Sequence, residues 1–168
     1  AKRDNKSTET GLLKQWPSDG PKLLWKATGF GRGYSSVAVA GGLVVSMGDK
    51  SSGSVVHAVE EATGNPVWTS SRVGNKGGNF DGTKSTPAID LANRRVFALG
   101  QFGDLVCLNL ETGKEIWRQS LTSDLGGKFS QWNYAESPLL DGNRLIVTPG
   151  GRQGTVAALN TSDGSTLW

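Results

Sequence analysis

Residues 103–117, GDLVCLNLETGKEIW, decide the fold, because the chain repeats the phrase twice more: GSVVHAVEEATGNPVW at 53–68 and GTVAALNTSDGSTLW at 154–168. In each copy a glycine (Gly64, Gly113, Gly164) stands four residues before the closing tryptophan (Trp68, Trp117, Trp168). An aliphatic residue (Val59, Leu108, Leu159) stands five residues before that glycine. The register holds upstream as well, in SSVAVAGGLVVSMG (35–48), STPAIDLANRRVFALG (85–100) and ESPLLDGNRLIVTPG (136–150). Here Gly48, Gly100 and Gly150 are expected to end the second strand of each copy. With Trp25 included, the tryptophans are 43, 49 and 51 residues apart. That is the period of a fold built from one repeated supersecondary unit.

Each unit reads as four strands, in the middle copy roughly 86–90, 94–99, 104–109 and 115–119. The apolar runs are long enough for strands and too short for helices. Thr63-Gly64, Thr112-Gly113 and Asp163-Gly164 put glycine where a tight hairpin turn needs positive φ. Gly41-Gly42, Leu91-Ala92-Asn93 and Asp141-Gly142 mark the earlier hairpin of each copy. A four-stranded unit of about 40–50 residues closing on tryptophan is the pattern of a β-propeller blade. One blade cannot bury both of its apolar faces, so neighbours must stack. The tryptophan supplies a plate that buries about 150–250 Å², and its indole N–H is placed to reach a carbonyl of the next blade. The expected fold is therefore all-β: an extended lead-in over 1–22, then three antiparallel four-stranded blades at approximately 27–70, 71–119 and 120–168. A further strand is expected at Leu23–Lys26, carrying Trp25. Three blades are fewer than the roughly 4–8 of a closed ring, so the remaining blades of a longer chain or a protein partner are expected to cover the open faces.

Composition agrees. Glycine occurs 24 times, and there is one cysteine, one histidine and one methionine. A lone cysteine excludes an internal disulfide, and a lone histidine argues against a His-rich metal site. The net charge of +3 is mild and lacks the basic stripe of a nucleic-acid binder. No stretch has the apolar length of a membrane span or of a signal-peptide core, so a soluble β-protein is expected.

The repeats resemble the pyrroloquinoline-quinone-like (PQQ-like) repeat, whose pattern is Ala-x-Asp-x-x-Thr-Gly-x-x-x-Trp. The matching positions are Ala58, Glu60, Thr63, Gly64 and Trp68, then Cys107, Asn109, Thr112, Gly113 and Trp117, then Ala158, Asn160, Asp163, Gly164 and Trp168. The aspartate position departs in every copy, so its turn-stabilising role is expected to be only approximated. The resemblance covers 23–168, and the lead-in is similar to that of secreted bacterial propellers. It implies a bacterial, periplasmic or secreted setting and a closed ring in which the N-terminal strand completes the last blade. It also implies one of two roles. One is a cofactor-free scaffold propeller, as in outer-membrane assembly; the other is a segment of a quinoprotein dehydrogenase holding PQQ with calcium.

The long connections at about 69–84 and 118–135 are the expected binding face, since loops longer than about 12–15 residues are commonly functional. The first carries Arg72, Lys76, Asn79, Phe80, Asp81 and Lys84; the second carries Lys128, Phe129, Gln131, Trp132, Asn133 and Tyr134. Arg32 and Tyr34 lie on the shorter first connection, and Asp49, Lys50, Gln101, Phe102, Arg152 and Gln153 share the face. The ligand-binding candidates are Arg32, Tyr34, Lys50, Phe80, Lys84, Phe102, Trp132, Tyr134, Glu136 and Arg152. Aromatic plates suit peptide side chains or glycans, and arginine suits carboxylates. Lys84 and Glu136 are placed to face the channel or to pair with each other. Phe80, Phe129 and Trp132 are expected to fold back over their own loops. Cys107 takes the place of a small buried strand residue, and His57 lies within a third strand as a structural group. No catalytic constellation and no calcium-type aspartate cluster is visible. The expected function is thus non-catalytic protein or ligand binding, with a quinoprotein segment or a carbohydrate-binding propeller as alternatives.

Overall fold

A computed structural model describes residues 8–78, 80 and 82–168; Asn79 and Asp81 of the long first connection lie outside the described residues. Eleven strands and no helix are present among them. The first sheet is β1 (Ala38–Ala40), β2 (Leu43–Lys50), β3 (Gly53–Glu60) and β4 (Pro66–Thr69). The second is β5 (Ala88–Asp90), β6 (Arg95–Leu99), β7 (Asp104–Asn109) and β8 (Glu115–Ser120). The third is β9 (Leu139–Asp141), β10 (Arg144–Val147) and β11 (Ala157–Asn160). Within each sheet the strands are neighbours in chain order and antiparallel. In the third, Leu167 and Trp168 hydrogen-bond to Ala158 along the line a fourth strand would take. The first strands β1, β5 and β9 pack side by side, so the sheets radiate as propeller blades.

Alternation explains why the strands are apolar on both faces. In the middle sheet Val96, Ala98, Val106 and Leu108 meet Val45, Met47, Val56 and Ala58 of the first. The intervening Phe97, Leu99, Leu105 and Cys107 meet Leu145, Val147, Ala157 and Leu159 of the third. Burial there pushes the Cys107 thiol up to about 12, consistent with an apolar filler.

Tryptophan locks one sheet to the next. The indole N–H of Trp25 donates to the Glu61 carbonyl (2.9 Å), Trp68 to Leu110 (2.8 Å) and Trp117 to Thr161 (3.0 Å). Each ring lies flat on the glycine three residues beyond its acceptor, so a methyl group on Gly113 would sit 2.5 Å from the Trp68 ring. Gly113 also has φ of 66°, and only glycine meets both demands. The aspartate position of the repeat is filled better than expected. Asn109 Oδ1 accepts from the backbone N–H of Glu111 and Thr112, and Asn160 Oδ1 from that of Ser162. Glu60, one methylene longer, engages only the Thr63 hydroxyl.

Two expectations need correction. Leu23–Lys26 forms no strand here: none of the described strands pairs with it, and Leu23 and Leu24 are exposed. Trp25 nevertheless reaches Gly64 from an irregular strap. Gly48 does not end β2, which continues through Lys50; it is glycine because the Phe30 carbonyl of the strap presses where a side chain would stand.

His57 of β3 is buried, bonded through Nδ1 to the Thr69 hydroxyl (2.9 Å) and tilted against Phe30 (5.2 Å between ring centres). Burial, then the charge of Lys50, lowers its pKa below 6.5, although the Phe30 backbone works the other way. Below pH 6.5 the unfolded chain takes up a proton that folded His57 resists. Stability conferred by neutral His57 is therefore full above 6.5 and is lost as pH falls through the depressed folded value. Urea midpoints at pH 7.5 and 5.0 should fall further for the wild type than for His57→Gln; equal slopes would contradict this.

Candidate functional site

The long connections, 70–87 and 121–138, lie at the same end as the β2–β3 turn, where Gly74 bridges to Ser54. Arg118 of β8 anchors the root of the first by donating to the carbonyls of Val73 (2.5 Å) and Arg72 (3.1 Å). Beneath the loops lies a buried polar network centred on Asp49 and Gln101. The Asp49 carboxylate accepts from the Ser54 hydroxyl (2.5 Å), the Gly77 N–H (3.0 Å) and Gln101 Nε2 (3.1 Å). On its other side Gln101 Oε1 accepts from Lys84 Nζ (3.2 Å) and Asn133 Nδ2 (3.4 Å). One glutamine thus ties the first sheet to both long loops. Buried polar groups require such satisfaction.

Above this network Phe80 and Trp132, one from each loop, stack with ring centres 5.1 Å apart and planes 27° apart. They remain 55% and 50% exposed. Phe80 holds φ of 62° and Asn133 holds φ of 61°. For a bulky residue that backbone is strained by about 1–3 kcal/mol, and Lys84 Nζ helps to hold it by donating to the carbonyls of Phe80 (3.2 Å) and Gly82 (3.4 Å). Beside the pair opens a cleft of about 500 Å³ lined by Arg32, Asp49, Lys50, Lys76 and Gly77.

The structure therefore gathers Arg32 and Lys50 at the cleft, Phe80 and Trp132 in the stacked pair, and Lys84 below them. Tyr34 is exposed close by, its N–H donating to the Thr83 carbonyl (2.6 Å). Phe129 links Phe102 and Tyr134 by edge contacts at 5.9 Å each. Tyr134 is not a surface group: it is 5% exposed and its hydroxyl donates to the Pro149 carbonyl (2.8 Å). Glu136 does not pair with Lys84; its carboxylate accepts the Thr148 N–H (2.9 Å), and burial raises its pKa. Phe80 and Trp132 cap each other across two loops instead of folding over their own. Arg152 is exposed on the third-sheet side and does not line the cleft. The bridging roles of Asp49 and Gln101 went unread, although both stand directly after the glycine of the second-strand phrase.

A quinone–calcium site would need clustered oxygen donors, and the described turn aspartates Asp49, Asp104, Asp124 and Asp141 are each engaged separately. Asp49 is bonded as above, Asp104 lies by Arg118, Asp124 accepts the Ser120 N–H, and Asp141 pairs with Arg144. No group of three or more His, Cys, Asp or Glu that could hold a metal exists among the described residues. These residues do not fit that cofactor.

Radial antiparallel sheets, two of four strands and one of three, locked by tryptophan and carrying a built surface on the long-loop face, define a β-propeller segment. Residues 51–168 match the family of the outer membrane protein assembly factor BamB, and the chain belongs to that family of PQQ-like propellers. It is similar to the BamB of Salmonella typhimurium, 36% identical over 106 residues, which cover 61% of this chain and 25% of that protein. It also resembles the quinohemoprotein alcohol dehydrogenase of Comamonas testosteroni, 27% identical over 126 residues, covering 68% of this chain and 17% of the enzyme. The crystal structure of that enzyme superposes with a TM-score of 0.60 at 25% identity, over 82% of this chain and 21% of that one. The crystal structure of BamB from Moraxella catarrhalis superposes with a TM-score of 0.56 at 22% identity, over 89% of this chain and 40% of that one; at this identity it speaks to the fold alone. The chain spans a quarter or less of the length of these curated relatives. No helix among the described residues is long and apolar enough to cross a membrane.

Proposed function

We propose that this chain is a non-catalytic, protein-binding part of a propeller acting in outer membrane protein assembly, on the periplasmic side, with partners docking on the long-loop face. The observation that carries this reading is the stacked Phe80–Trp132 pair, half exposed and contributed by two loops. Aromatic anchors that stay in water at a fixed backbone are what interface hot spots are made of. The pair's support on Gln101 means that it is presented already ordered, which lowers the entropy cost of binding. Family membership supports the assembly role. A glycan is a weaker match, because Phe80 covers one face of the indole that a sugar ring would stack on.

A photo-cross-linking amino acid placed at 132 in the bacterium that carries the gene is expected to capture a component of the outer-membrane assembly machinery. The same group at Leu91, in the β5–β6 turn at the far end of the sheet, should capture none. Equal capture at both positions, or saturable binding of pyrroloquinoline quinone with calcium, would overturn the reading.

A further inference from the structure

We infer that the cleft beside the aromatic pair takes an acidic segment of the partner protein, so that carboxylates enter the cleft while an apolar residue meets Phe80 and Trp132. This deepens the protein-binding reading above and rests on it. Among the described residues the cleft is lined by the exposed lysines Lys50 and Lys76, with Asp49 as the one described carboxylate. That carboxylate is buried and already accepts from three donors, so it neutralises none of the lysines by contact. Lys50 and Lys76 are exposed, and no ion pair of the described residues involves either. Two such lysines on a concave surface attract carboxylates and steer their approach.

Cleft and aromatic pair form one surface. Gly77 lines the cleft, and the side-chain amide of Asn133 packs directly on Gly78, leaving no room there for a β-carbon. Trp132 is the next residue. A partner segment with carboxylates close to an aromatic or aliphatic residue would engage both at once.

The test uses the whole chain and a fluorescein-labelled peptide with glutamates on either side of a central tryptophan, followed by anisotropy. Its counterpart carries glutamine at each glutamate. The acidic peptide is expected to bind about tenfold more tightly than its counterpart at low salt, and the difference should shrink as salt screens it. The double variant Lys50→Glu/Lys76→Glu should erase that difference, and Lys50→Gln/Lys76→Gln should reduce it; both sites are exposed, so circular dichroism should be unchanged. Equal binding of the two peptides, or no effect of the lysine variants, would overturn the inference. So would displacement by inorganic phosphate at concentrations comparable to the peptide, which would mark a simple anion site. The protein-binding reading is judged separately, by whether Trp132→Ala weakens both peptides alike.

Discussion

Replacing Trp117 by alanine is expected to destabilise the chain by about 3–5 kcal/mol, the range for deleting a large buried aromatic side chain. With a typical urea dependence of about 2 kcal/mol/M this lowers the midpoint by roughly 1.5–2.5 M. The residue is 9% exposed, lies in the cluster between the second and third sheets, and packs on Phe97 at 5.8 Å between ring centres. Its loss removes that plate and leaves the Thr161 carbonyl without its donor. The third sheet depends on this lock, so amide exchange in β9–β11 should accelerate more than in β2 and β3. Ile116→Ala supplies the comparison: the neighbouring residue on the same strand, but 47% exposed. A substitution there should change stability by about 0.5 kcal/mol or less. Equal effects at the two positions would mean that tryptophan acts through the strand carrying it and not by locking sheets.

The same contrast shows what the sequence made legible. Sheet number, strand order and the tryptophan–glycine relation were readable because they repeat, and a periodic signal needs no knowledge of contacts far along the chain. Leu23–Lys26 has the apolar residues of a strand, but a strand also needs a neighbour to pair with, and no described strand lies beside it. The candidate surface was legible only in part. Its aromatic and basic residues stood out by type. The residues that organise it, Asp49, Gln101 and Asn133, come from three different repeats and each bonds to a group outside its own. A side chain whose partner lies 52 residues away leaves no local pattern. Tyr134 shows the converse, since an aromatic residue on a long loop looked like surface until its hydroxyl was seen to close on Pro149.

Asp49 gives the second large effect, and the chemistry of its three bonds separates two substitutions. Asp49→Ala strips the acceptor from Ser54, Gly77 and Gln101 together. A buried donor left unsatisfied costs about 1–3 kcal/mol, and water entering from the cleft offsets part of it, so a loss of about 3 kcal/mol is expected in urea unfolding. Once Gln101 is no longer held from the first sheet, both loops loosen and binding of the tryptophan-containing peptides should weaken. Asp49→Asn behaves differently. Its carbonyl oxygen can take the position that serves Gly77 and Gln101, while its amide faces the Ser54 hydroxyl. That hydroxyl is free to accept it, because it has a second place to donate, the Asn75 carbonyl at 3.3 Å. The asparagine variant should therefore keep most of the stability and both loops, yet remove the only carboxylate that lines the cleft among the described residues. Repulsion at about 5–10 Å in a half-exposed site is modest, so the acidic peptide should bind roughly two- to fivefold more tightly to it than to the wild type, with the glutamine peptide unchanged. Measuring both peptides on both variants distinguishes a network that shapes the surface from a charge that tunes it. If asparagine weakens binding as much as alanine does, the carboxylate itself is needed, and the electrostatic account of the cleft is wrong.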